Sequence, residues 1–136
     1  MNRENSEDAV LILKNGEGRE YRLGPMTAVF KADERETASR YSISEWRLDP
    51  RSEGPGEHFH DDKEHIFFVL EGTVSVLAGD GWVEAEKGDF IRIPRNTTHT
   101  FANRTDREAA FLNIDVPGGF ESELPAMVRW FAEQKP

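Results

Sequence analysis

His58, His60, His65 and His99 are the residues whose types and spacing suggest chemistry, and they are all the histidines this chain has. Three of them fall within one short stretch, Gly54-Pro55-Gly56-Glu57-His58-Phe59-His60-Asp61-Asp62-Lys63-Glu64-His65. Side chains alternate faces along a strand, so His58 and His60, two apart, point the same way. The charged residues 61–64 suit a turn, and His65 opens an apolar run, 66–70, that reads as the returning strand. A hairpin of that length sets His65 opposite His60. Three imidazoles would then converge on one point, as a transition ion bound at about 2.0–2.1 Å requires. A single histidine near a strand end is more often hydrogen-bonded or solvated than a ligand; the grouping makes the argument.

A β framework has to position these groups. Residues 9–14 and 19–23 are two short β-like runs joined by Asn15-Gly16-Glu17-Gly18, which reads as an N-terminal hairpin. Further strands are predicted over 26–31, 41–48, 73–77, 82–86, 90–93, 98–102 and 109–116. Short strands separated by Gly, Asp and Asn turns indicate an all-β sandwich or barrel. Residues 32–40 read as a loop, and 49–57, with Pro50, Gly54, Pro55 and Gly56, as irregular. Beyond Pro117-Gly118-Gly119, the residues Phe120, Leu124, Met127, Val128 and Phe131 recur at helical spacing. That spacing predicts an amphipathic helix over about 122–134, capped by Ser122, with Pro125 in its first turn and its aromatic stripe serving as core. Residues 1–8 read as frayed, and 9–136 as one domain.

Size and charge bound the function. At 136 residues the chain makes one domain with one core. A net charge of −9 argues against nucleic acid or an anionic membrane as a partner, since both need a basic footprint. No apolar run approaches the ~20 residues of a membrane span. The polar N-terminus has no signal-peptide core, and the expected location is cytoplasmic. With no cysteine, disulfides and thiolate ligands are excluded.

A second motif surrounds the fourth histidine: Gly88-Asp89-Phe90-Ile91-Arg92-Ile93-Pro94-Arg95-Asn96-Thr97-Thr98-His99-Thr100-Phe101-Ala102-Asn103. Here the chain resembles the cupins. Their second motif is matched at Gly88, Pro94, His99 and Asn103, with Asn96 where a turn glycine is usual; Asn tolerates positive φ better than most residues. Their first motif is matched at His58, His60 and Gly72, within 54–72. The family's usual glutamate ligand falls on His65 when counted back from Gly72, and on Glu64 when counted forward from His60. Strand alternation favours His65, which shares a face with Phe67 and Val69. Glu64 is then a turn carboxylate or an outer partner of a histidine.

The resemblance implies an all-β, jelly-roll-like cupin barrel with the N-terminal hairpin and C-terminal helix attached. It also implies one divalent transition ion on His58, His60, His65 and His99. Such neutral ligands suit Fe, Mn, Ni, Cu or Zn and disfavour Ca and Mg. Phe67, Val69 and Phe101 are expected to line the pocket, with Arg92 as a candidate contact for an anionic substrate. Either Trp46 or Arg47 faces inward, and Asn103 reads as structural. Three functions fit. One is an O₂-using dioxygenase acting on an enolate, diketone, catechol or flavonol-like molecule. Another is a non-redox isomerase, epimerase or lyase on a sugar or small acid. The third is a non-catalytic cupin that binds a small molecule or metal. A homodimer built through the N-terminal hairpin is expected, because an isolated two-stranded ribbon is marginal.

Overall fold

The structure, a computed structural model, describes residues 8–58 and 60–134; the segment read as frayed lies outside them but for Asp8. Ten strands form: β1 (Arg19–Leu23), β2 (Met26–Ala32), β3 (Ser42–Leu48), β4 (Ser52–Glu53), β5 (Glu64–Glu71), β6 (Thr73–Ala78), β7 (Gly81–Glu86), β8 (Phe90–Ile93), β9 (His99–Asn103) and β10 (Ala109–Val116). The described residues also form two helices, α1 (Glu34–Thr37) and α2 (Leu124–Glu133), the second preceded by a 3₁₀ turn at Phe120–Glu123. The strands make two sheets, ordered β1-β2-β3-β10-β5-β8 and β4-β9-β6-β7. The expected barrel is thus a jelly-roll pair of sheets that do not close into one ring. Among the described residues, no helix is long and apolar enough to cross a membrane.

Alternation builds the core. His65, Phe67 and Val69 of β5 are buried, while Phe68 between them is exposed. β10 presents Phe111, Asn113 and Asp115 to the same interior, paired in register with Val69, Phe67 and His65. β3 contributes Trp46 and Leu48, and Arg47 points outward to Glu45, Glu71 and Glu108. The second sheet supplies Val74, Val76, Ala85 and Phe101 to the same cluster.

The N-terminal hairpin is displaced from its expected place. Residues 9–14 form no strand, and Val10 and Ile12 are 85% and 75% exposed. β1 pairs instead with β2 across Gly24-Pro25, with Leu23 opposite Met26. Both turns have the right chemistry, but only the second joins two runs that bury a common face: Leu23, Met26, Ala28 and Phe30 are all 0% exposed. Gly24 supplies the left-handed φ of 57° that this turn needs.

The loop expected over 32–40 contains one helical turn. Asp33 stabilises it: its N–H donates to Glu36 Oε1, and its carboxylate accepts from the backbone N–H of Gly119 and Glu121, far along the chain. Arg19 binds Glu36 and Glu121 together, and Tyr21 Oη also donates to Glu121. These contacts dock the C-terminal segment. α2 begins later than expected, with Pro125 in its first turn, and Ser122 Oγ donates to Gly119 O instead of capping it. Leu124 anchors α2 in the core.

Asn103 is structural, as its motif position suggests. Its Nδ2 donates to the carbonyls of Leu48, Asp49 and Arg107, and its Oδ1 accepts from Thr105 N and Oγ1. The side chain is wholly buried. Asn103→Leu strands these groups, so we expect a loss of about 2–4 kcal/mol in chemical denaturation.

Candidate metal centre

The histidines meet by a route that differs from the expected hairpin. Both edges of β5 are taken, by β10 and β8, so His58 and His60 do not pair with it. They meet the chain at and just before β9 of the other sheet. His58 and His99 exchange backbone hydrogen bonds of 3.0 and 2.8 Å, and Asn96 N donates to His60 O at 2.8 Å. Asn96 holds this contact with a φ of 65°, the left-handed conformation its motif position requires. The two sheets thereby bring His65 from one side and His58, His60 and His99 from the other.

The rings converge. Centroids lie 4.4 Å apart for His58–His99, 4.7 Å for His65–His99 and 5.0 Å for His60–His65. Nitrogens of His58, His60 and His99 all lie within 4.8 Å of one another, close enough to hold one ion. His65 is set slightly apart from that trio, yet its environment is specific. Its Nδ1 bonds Asp115 Oδ1, and its buried Nε2 has no protein partner. His58 Nδ1 donates to Gly56 O at 2.7 Å, and His99 Nδ1 donates to Thr97 O at 2.8 Å. Because the partners of these two are carbonyls, which only accept, the proton sits on Nδ1 and the Nε2 lone pair is free. Histidine ligands are commonly held in this way, through the nitrogen that does not touch the metal.

Electrostatics agree with that arrangement. Burial pushes His60 down to about 4, with a further contribution from His65 and Lys63. Burial also pushes His99 down to about 4, and lowers His58. Near neutral pH these rings are therefore uncharged and able to coordinate. A set of neutral imidazoles, with one buried nitrogen lacking a partner, fits a borderline transition ion and not a hard oxygen-seeking cation.

Beside the histidines opens a cavity of about 290 Å³, near the lower end for small-molecule sites. Phe67, Phe101, Trp46 and Phe111 line it. Phe67 and Phe111 centroids are 4.7 Å apart, and Phe101 and Phe111 4.9 Å. Val69 does not reach the cavity and is plain core. Arg92 does not reach it either: it lies on the outer face, where it pairs with Glu64 at 2.8 Å. Glu64 is correspondingly neither a ligand nor a partner of a histidine; that partner is Asp115, from the far end of the chain. Phe120 and Met127, from the C-terminal stripe expected to be core, form part of the wall together with Glu123, which lies outside that stripe. The helical period of the stripe was legible, but not that this face meets the cavity. Asn113, also unforeseen, completes the lining. Its place on the inward face of β10 was available from alternation alone.

Residues 44–115 match the family model for the cupin domain. Two curated relatives are dioxygenases. Quercetin 2,3-dioxygenase of Bacillus subtilis is 27% identical over 116 residues, which is 81% of this chain and 32% of the relative. Acireductone dioxygenase of Bacillus thuringiensis is 38% identical over 64 residues, 44% of this chain and 38% of the relative. The chain thus spans about a third of the length of the curated relatives it matches. Among solved structures, KdgF from Halomonas sp. superposes with a TM-score of 0.73 at 15% identity, over 84% of this chain and 99% of that one. That last likeness is one of fold.

Proposed function

Because this chain belongs to the cupin family, we propose that it holds one divalent transition ion on His58, His60, His65 and His99 and oxidises a small carbon-rich molecule with O₂. The observation that carries this reading is the composition of the cavity: four imidazoles at one end, aromatic walls and, among the described residues, no Lys or Arg in the lining. Lys63 is buried over the Phe120 ring and is not part of the lining, and Glu123 adds a carboxylate to the wall. A phosphorylated or strongly anionic sugar would therefore meet no cationic lining side chain, whereas a flavonol, catechol or diketone has both an apolar body and a pair of oxygens able to chelate. Bound at this site, a redox-active Fe, Mn, Ni or Cu ion would supply the electron-transfer chemistry that reaction with O₂ needs. The protein's own part is positional. Gly56 O, Thr97 O and Asp115 hold three of the rings in orientation. Trp46, Phe67, Phe101 and Phe111 exclude water and receive a flat ring system. The dioxygenase activities of the two relatives support the reaction class.

The test is oxygen uptake by Fe(II)-, Mn(II)-, Ni(II)- and Cu(II)-loaded protein with flavonols, catechols and β-diketones. We expect uptake that depends on metal and is lost in His99→Ala. Turnover of a sugar or hydroxy acid without O₂, in place of uptake, would assign the site to isomerase or lyase chemistry.

The proposed function includes a homodimer, through a different surface from the one expected. Phe68 and Phe90 face each other in register on the outside of the six-stranded sheet, 41% and 63% exposed, with Leu112 beside them. A contiguous apolar strip of this kind marks an interaction face. In sedimentation we expect a dimer for the native chain and a monomer for Phe68→Glu/Phe90→Glu. A native monomer at micromolar concentration would refute it.

A further inference from the structure

Asn113 has an atom that nothing in the protein satisfies. It sits on the inward face of β10 between Phe111 and Asp115, lines the cavity, and is 5% exposed. Its Nδ2 lies 3.2 Å from Asp115 Oδ1, the same oxygen that bonds His65 Nδ1. A carboxylate oxygen accepts and does not donate, which fixes the amide: Nδ2 faces Asp115, and Oδ1 faces away from it. Oδ1 is buried without any partner. Its cross-strand neighbours are Phe67 on β5, which has no side-chain donor, and Ser44 on β3, whose hydroxyl accepts from Trp46 Nε1 and makes no hydrogen bond to Oδ1. Buried carbonyl oxygens left unpaired are few in native proteins and cost free energy. The cavity that Asn113 lines is where a donor can come from.

We propose that Asn113 Oδ1 is a specificity contact, accepting a hydrogen bond from an O–H or N–H group of the ligand. The ligand class narrows accordingly: an apolar, largely aromatic body, a chelating oxygen pair for the metal, and at least one further donor away from that pair. This rests on the reading that the cavity binds a chelating organic molecule. A site built to pair a buried acceptor rejects an analogue lacking the donor far more strongly than it rejects a missing methylene, because the acceptor is left unpaired in a site now closed to water. Asp115 thereby has two tasks at once: it sets the tautomer of His65 and the orientation of Asn113.

The test uses the Zn(II)-loaded 136-residue chain, so that binding is read without turnover. The probes are 3-hydroxyflavone, its 6-, 7-, 3′- and 4′-hydroxylated derivatives, and the methyl ether of each added hydroxyl. Dissociation constants come from calorimetry and from quenching of tryptophan fluorescence. We expect one hydroxylated isomer to bind about ten- to a hundredfold tighter than both 3-hydroxyflavone and its own methyl ether. In Asn113→Leu that preference should disappear while 3-hydroxyflavone itself still binds; the ether comparison in the native protein needs no variant. If every isomer binds as 3-hydroxyflavone does, a buried water satisfies Oδ1, and the inference is overturned while the chelating-ligand reading stands. If no flavone binds the zinc-loaded protein, the flavonol form of that reading fails and takes this inference with it.

Discussion

Replacing His65 by Ala will cost the protein both its metal and much of its stability, whereas His99→Ala will cost the metal alone. Both lose an imidazole from the converging set, and each should weaken Zn(II) or Ni(II) binding by more than about 100-fold, beyond the 10–100-fold typical of an outer partner. The stabilities then diverge. His65 lies against Asp115, whose side chain is 0% exposed, and removing the ring leaves that carboxyl with only the Asn113 amide. Removing one member of a buried pair costs about 3–5 kcal/mol. His99 Nδ1 is held by a backbone carbonyl at 2.8 Å, so its loss strands no charge. Metal content by elemental analysis and metal-free stability by urea denaturation separate the two effects. Equal metal-free stability of the two variants would show that the His65–Asp115 contact contributes nothing to the fold. Full metal content in His65→Ala would remove His65 from the ligand set.

Asp115→Asn should lower metal affinity by about 10–100-fold with the fold retained. The substitution keeps the shape and burial of the side chain but gives it a donor. With a carboxylate opposite, His65 Nδ1 carries the proton and Nε2 is free to bind. With an amide opposite, the NH₂ group can donate to Nδ1, which moves the ring proton to Nε2 and blocks coordination. A structurally passive Asp115 would give no such tautomer change. The readouts are therefore a chelator competition for affinity and ¹⁵N NMR of the histidine rings for the tautomer. An unshifted His65 tautomer with unchanged affinity would leave Asp115 no part in the site. Asp115→Leu separates packing from hydrogen bonding: it removes both acceptors and also leaves Asn113 Nδ2 without its partner.

The histidines could be recognised from the chain because their positions are tied to local rules. Alternation along β5 puts His65, Phe67 and Val69 on one face, the register counted from Gly72 makes that face the inward one, and Asn96 tolerates the left-handed turn that its motif position needs. β10 was legible at both ends, since Pro117 and a run of alternating apolar residues bound it. The chain alone also showed no thiolate chemistry and no basic footprint, because these follow from composition. What it could not show is which strand lies beside which. Residues 9–14 have the composition of a strand but no partner strand, and His58 bridges His99 of β9 where a hairpin with β5 was expected. Pairing is decided by the competition of all edges for all others, and β10 and β8 had already claimed β5. The same holds for the site. Asp115 is 50 residues from His65 and meets it only because β10 pairs antiparallel to β5 in that register. Trp46 faces the cavity and Arg47 the solvent because the inward face of β3 is set by its neighbours β2 and β10. Phe120, Glu123 and Met127 reach the cavity because Asp33 and Arg19 dock the C-terminal segment there. Residue type and spacing act over a few residues and specify which atoms can bind a metal; the closure of loops tens of residues long decides which carboxylate, amide and aromatic rings surround it.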